Sequence, residues 1–257
     1  MDARLTSTDW HHIVRFLAAQ IVRTPASLVE SLRRWRETLP RIVDASLRET
    51  VNKLEAAKRT GEEITWATME GSEYFPSRIS TEKVPGEEHG KLKADILVGR
   101  RLWLYEIQSA LTSAALVLHD HRWTILKPPD DLRWFTSDDP VLCLNYYDAS
   151  NYDFKGGWGK FGTEIFLPLS PQHLLYTKVG HRVAQRGSVV TRTEAELIRR
   201  CIAEHAHRFI FATAPDPEVP KLRPRTVDSD LFRHEREQWR RWHEEQSAAE
   251  REFFGVE

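Results

Sequence analysis

The spacing of apolar residues changes halfway along this chain, and that change limits the fold more than any other feature. Up to about residue 119, apolar side chains recur three or four positions apart. From Arg122 onward they come in short runs rich in aromatic and branched residues, bounded by Pro, Gly and Asp. The first spacing lines one side of a helix, and the second reads as strands. Helices in one block and strands in another indicate an α+β chain rather than alternating βαβ units. The links between the strand-like runs are too short for most parallel crossovers, so the sheet is expected to be mainly antiparallel.

Within the helical block, Trp10, Ile13, Val14, Leu17, Ile21, Leu28, Leu32 and Trp35 share the helical spacing. Ser7 and Thr8 stand where an N-cap belongs, with Asp9 in the first turn. Thr24-Pro25 punctuates the stripe: either one helix stops there and a second begins on a capping threonine, or a single helix kinks. Ile42, Val43, Leu47, Val51 and Leu54 follow Pro40 and lead to Arg59-Thr60-Gly61, a C-cap signal. Residues 61–90 are broken by Gly and Pro and read as a surface connection with one short strand or helix. Residues 100–119 return to helix, with Leu104, Ile107, Leu111, Ala114, Ala115 and Leu118 on one side.

The expected strands are Trp123–Leu126, Arg133–Thr136, Val141–Leu144, Glu164–Leu167, His173–Lys178 and Phe209–Thr213. A helix is expected over Thr193–His205, opened by Thr193 and Glu196 as a capping box. A charged helix from about Ser229 carries Phe232, Trp239, Trp242, Ala249 and Phe253 on one stripe. The expected organisation is one α+β domain over 1–226, helical over 8–120 and sheet-rich over 121–213, its helices packed on the sheet. A C-terminal helical extension over 227–257 follows. Trp239 and Trp242 should face protein, either their own domain or a partner or second copy.

Composition narrows the functional classes. Apolar residues make up 40% and charged residues 29%, a globular balance. The net charge of −1, from 37 basic and 38 acidic residues, does not favour a nucleic-acid coat. Cys143 and Cys201 lack the spacing of a zinc knuckle or a disulfide framework. No signal core and no run of 18 apolar residues occurs, so the expectation is a cytoplasmic protein without a membrane span.

Several polar groupings invite a chemical reading. Gly157-Trp158-Gly159-Lys160-Phe161-Gly162 has the letters of a dinucleotide loop, but a strand-like run follows it where a helix is required, so it reads as a mobile loop. Asp95 with Glu106-Ile107-Gln108 faintly suggests a magnesium nuclease core. His119-Asp120-His121 and His205-Ala206-His207 have zinc-ligand spacing only if extended. Arg33, Arg34 and Arg36 read as a solvated face. Ser137-Asp138-Asp139-Pro140 lies between two apolar runs, and Pro140 holds Asp139 extended, so the two carboxylates face opposite ways. It is either a turn accepting a backbone N–H or a strand-end site. Phe16, Gln20, Arg23 and Ser27 form a polar strip beside the apolar face of the first helix.

These segments also resemble a known family. The run Phe16–Pro25, then Trp123–Leu126, Phe135–Val141, Ile165–Pro171 and Ala206–Ile210 follow in order the motifs of domain of unknown function 4238. In that family a helix with Arg-Thr-Pro precedes a tryptophan strand, a Ser-Asp-Asn-Pro turn and a Phe-Pro-Leu-Ser-Pro segment. Asp139 stands where the family usually has Asn, and the family's upstream His-Tyr-Val-Pro-Gln-like segment has no counterpart here. A site that used that histidine would be inactive, partial or completed by a partner. The resemblance implies positions rather than chemistry: Gln20, Arg23, Ser137 and Asp138 are expected to share a site. Two functions follow. One is a hydrolase-like enzyme on nucleic acid or a phosphorylated substrate. Arg23 binds the anion, Asp138 acts as base or metal ligand, and Gln20 and Ser137 contact substrate. The other is a non-catalytic binding or assembly module in which Arg23 and Asp138 form a structural pair. No cofactor follows from the sequence.

Overall fold

A computed structural model describes residues 5–61, 63, 75–83, 86, 90–224 and 228–255. Helix α1 spans Ser7–Val22 and α2 spans Pro25–Thr60. The cap of α1 is Thr6, one residue earlier than expected, because Asp9 then sits at the third helical position and answers the Thr6 N–H reciprocally. Thr24 caps α2, its hydroxyl accepting from the Ser27 N–H at 3.1 Å. The helix then continues through Pro40 to Gly61, whose φ of +72° is open to glycine at little cost.

The connection over 61–90, expected to hold one short strand or helix, has one strand of seven residues among its described residues, and that strand's partner begins at Gly90. Strands β1 (Ser77–Lys83) and β2 (Gly90–Ile96) form an antiparallel hairpin. Every β1 residue is exposed, so no apolar alternation marked it. Parts of the expected connection lie outside the described residues. Helix α3 spans Arg100–Ser109, a π turn covers Ala110–Ala114, and α4 spans Ala115–His119. The π turn rotates the helix face. Leu102 is buried and Leu104, expected on the inner side, is exposed.

The remaining elements are β3 (Thr124–Leu126), β4 (Thr136–Ser137), β5 (Leu142–Asp148), β6 (Asn151–Asp153), β7 (Glu164–Ser170), β8 (His173–Lys178), α5 (Arg192–His205), β9 (Ile210–Phe211), α6 (Val219–Leu222) and α7 (Ser229–Phe254). Five strands pair antiparallel in the order β3-β8-β7-β5-β6, and β4 pairs separately with β9. The cap of α5 is Thr191 with Glu194, two residues before the expected Thr193 and Glu196. The glycine loop precedes strand β7, and Gly162 turns into it at φ +84°.

Residue contacts divide the chain into two compact units: Met1–Leu28 with Ile107–Val227, and Val29–Glu106 with Asp228–Glu257. In the first unit both sheet faces are covered. Ile165, Leu167 and Leu175 face Val14, Leu17 and Ala18 of α1 and Leu118 of α4. Their neighbours Phe166 and Leu174 face Ala195, Cys201 and Ile202 of α5. Burial on both faces explains why Ile165–Leu167 is an unbroken apolar run. In the second unit, Trp239 and Trp242 of α7 are half-buried and meet edge to face at 5.4 Å. No described helix is long and apolar enough to cross a membrane.

Candidate functional site

The Ser137–Pro140 turn is a junction of the first unit. β4 enters it paired with β9, and the Asp138 N–H donates to the Phe209 carbonyl at 3.2 Å. The Asp138 carboxylate accepts from the backbone N–H groups of His207, at 3.0 Å, and Arg208, at 2.9 Å. It therefore clamps the chain as it leaves α5. The buried Ser137 hydroxyl donates to the Asp139 carbonyl at 2.8 Å and accepts from the Asp139 N–H at 3.2 Å, closing the turn on itself.

Arg23 does not complete the expected pair. It is exposed, its guanidinium lies 5.8 Å from the centre of the Phe16 ring, and it makes no ion pair with Asp138. Gln20 is buried on the inner side of α1. Among the described residues, Gln20, Arg23, Ser137 and Asp138 make no hydrogen bond to one another. The two motifs meet through their next residues instead: the Thr24 hydroxyl donates to Asp139 Oδ1 at 3.3 Å. A capping threonine is already fixed by its helix, which leaves its hydroxyl proton free to reach outward. A long arginine gains more by staying in water.

Asp139 also meets His205, at the end of α5. The His205 Nδ1 lies 3.0 Å from the Asp139 carbonyl oxygen, and its Nε2 lies 3.7 Å from Asp139 Oδ2. A carbonyl only accepts, so the bond assigns a hydrogen to Nδ1. Burial raises the Asp139 carboxyl above its ordinary range, while His205 and the Thr24 hydroxyl partly offset it. Burial also pushes the nearby Cys143 thiol up to about 12, leaving it a proton-bearing apolar group at neutral pH. His205 was visible in the sequence only as half of a zinc-like pair. Its partnership with Asp139 had no local signal.

The other groupings resolve into structure. Glu106 accepts from Arg34 at 2.7 Å, Trp35 Nε1 at 2.7 Å and Ser31 at 3.2 Å, which leaves little of it for a metal. His119 stacks on His11 at 4.5 Å, and its pKa is lowered first by burial and then by that ring. No group of three or more potential metal ligands occurs among the described residues.

Beside the junction is a cavity of about 300 Å³. Trp134, Phe135 and Thr136 form one wall, Pro168–Pro171 a second, and Phe211–Thr213 a third. Phe211, Phe209 and Leu169 are exposed, and the two phenyl rings stack at 6.3 Å.

No curated protein and no solved structure matches the chain. The family described as "Protein of unknown function (DUF4238)" matches residues 2–216, in agreement with the motif order, and the chain belongs to that family.

Proposed function

We propose that this chain is a non-catalytic binding module whose recognition site is the apolar cavity beside β4 and β9. One observation carries this reading: three segments of the family-matched region line one cavity. They are Trp134–Thr136 before Ser137, Pro168–Pro171, and Phe211–Thr213, which directly follows the Ala206–Ile210 motif. The polar residues of the same segments are spent on the frame, with Asp138 on two backbone amides and Ser137 on its own turn. Ligand sites commonly take this form, an apolar hollow on a hydrogen-bonded scaffold, and about 300 Å³ is the lower end of their range. The ligand is small and largely apolar. Titration with the neutral fluorophore N-phenyl-1-naphthylamine tests this. Saturable binding to the wild type, at least tenfold weaker in Phe211→Asp and Leu169→Asp, is the expected result. Equal binding by all three proteins overturns the reading.

The hydrolase-like reading, on nucleic acid or a phosphorylated substrate, has one observation in its favour. With Nδ1 committed to a carbonyl, His205 Nε2 lies 3.7 Å from Asp139 Oδ2, on a carboxyl that burial raises above its ordinary range. An imidazole beside a carboxyl is a common general acid–base arrangement. It transfers the base from Asp138 to Asp139–His205 and leaves the exposed Arg23 as anion binder. Hydrolysis of bis(p-nitrophenyl) phosphate or single-stranded RNA, abolished by His205→Asn, is its test. No turnover by the wild type ends it.

A further inference from the structure

The second unit contains a charged cavity that neither reading uses. It measures about 270 Å³ and is lined by Arg100, Arg101, Ser247, Glu250, Arg251 and Phe254. Three arginines and one glutamate line it, a formal excess of two positive charges, of which Arg251 sits in the last turn of α7 at the negative end of that helix. Arg100 takes most of that carboxylate: its Nε and Nη2 reach the two Glu250 oxygens at 3.1 and 2.6 Å, and Nη2 also reaches Ser247 Oγ at 3.2 Å. Glu250 itself is largely buried, with 12% of its side chain exposed. Arg101 has only a loose approach to it, 3.9 Å, and lies over the Phe254 ring at 5.2 Å. Arg251 makes no ion pair among the described residues.

Two further features raise the cost of this arrangement. Arg100 and Arg101 occupy the first turn of α3, which contains no acidic residue, and the positive end of a helix dipole disfavours cations there. Guanidinium groups gathered around one cavity also repel one another unless a counter-charge enters. An anion with two charges balances the excess, and planar guanidinium forks match the oxygens of a phosphoryl group. Phe254 supplies an apolar wall beside the charges for whatever bears that group.

We propose that this cavity binds the phosphoryl dianion of a small phosphate monoester. The site lies wholly within the second unit, so it stands or falls separately from the apolar cavity of the first.

The test follows the arginine Nε–H resonances of the full chain by ¹H–¹⁵N NMR at constant ionic strength. The probes are phenyl phosphate, inorganic phosphate and sulfate, at pH 8 and pH 5. A phosphate monoester has its second pKa at about 6, so it is a dianion only at the higher pH, whereas sulfate is one at both. The expected result is saturable shifts of Arg101 and Arg251 with phenyl phosphate at pH 8, several-fold weaker binding at pH 5, and no such loss for sulfate. Phenyl phosphate should bind more tightly than inorganic phosphate. The double variant R101Q/R251Q should bind phenyl phosphate at least tenfold more weakly, with a melting temperature no lower than the wild type's in the absence of ligand. If that variant melts lower, the wild-type resonances decide alone. Shifts that do not saturate, tighter binding of the free ion, or full affinity in a stable double variant each overturn the proposal.

Discussion

The two compact units are built by different means. The first, Met1–Leu28 with Ile107–Val227, hides Leu17, Leu118, Leu142, Ile165, Leu174, Leu175 and Ile202 completely or nearly so. In the second, Val29–Glu106 with Asp228–Glu257, Trp35 and Leu102 are the large apolar side chains buried among the described residues. Ile42, Val51, Leu54, Ile79, Leu231 and Phe232 remain exposed there. Its distinctive bonds are instead the Glu106 cluster, the Arg100–Glu250 pair and surface pairs such as Arg48–Asp44 and Arg240–Glu244. Exposed pairs of that kind contribute only about 0–1 kcal/mol each, while a buried leucine contributes about 2–3 kcal/mol. The difference teaches where substitutions are felt: in the first unit through volume, and in the second through a few half-buried charges.

The largest expected effect tests that contrast directly. Leu175→Ala, between two covered sheet faces, should cost about 2–5 kcal/mol in urea unfolding. Leu54→Ala, on the exposed side of α2, should change stability by less than about 0.5 kcal/mol. Comparable losses at the two positions would break the comparison. Asp138→Ala comes next, at about 2–3 kcal/mol, because it strands the amides of His207 and Arg208. The mechanism is checked by faster hydrogen exchange at those two amides. In the second unit, Glu106→Gln should cost about 1–2 kcal/mol. It removes the charge that Arg34 and Trp35 share, and the Trp35 indole N–H should exchange faster. Unchanged exchange there would mean that the cluster does not hold the unit.

The smallest effect has the opposite sign. The Asp139 carboxyl titrates above its ordinary range in the folded chain, mainly through burial. Folding therefore favours its protonated form. That contribution is fully present below the ordinary value near 3.8 and is lost as pH rises through the raised value. The charged form of Asp139 is therefore a cost in the folded chain, so Asp139→Asn should raise Tm by about 2 °C at pH 7 and by nothing near pH 3. A lower Tm at pH 7 would show that the interaction with His205 outweighs burial.

Part of this was legible locally. Capping residues, the change of apolar spacing and the strand at His173–Lys178 depend on neighbours in the chain, and the structure has them within a residue or two. The hairpin β1–β2 was not legible as a pair, because β1 is exposed along its whole length and leaves no periodic trace. The candidate site shows the same division. The Arg-Thr-Pro and Ser-Asp-Asp-Pro motifs identified two segments that do meet. Which residue of each makes the contact depends on side-chain reach and on bonds already made. Thr24 arrives pre-oriented by its cap, and Asp138 is taken by the amides after α5, so the contact falls to Thr24 and Asp139.

The sequence by itself determined the α+β class, with helices before the sheet, and the family, since each rests on spacing or motif order along one chain. Tertiary structure alone decided that both sheet faces are covered, that Asp139 rather than Asp138 meets His205, and that three segments far apart in the chain line one cavity. Those outcomes depend on distances between residues some 30 to 115 positions apart, and desolvation and hydrogen-bond competition at such contacts act only once the chain has folded.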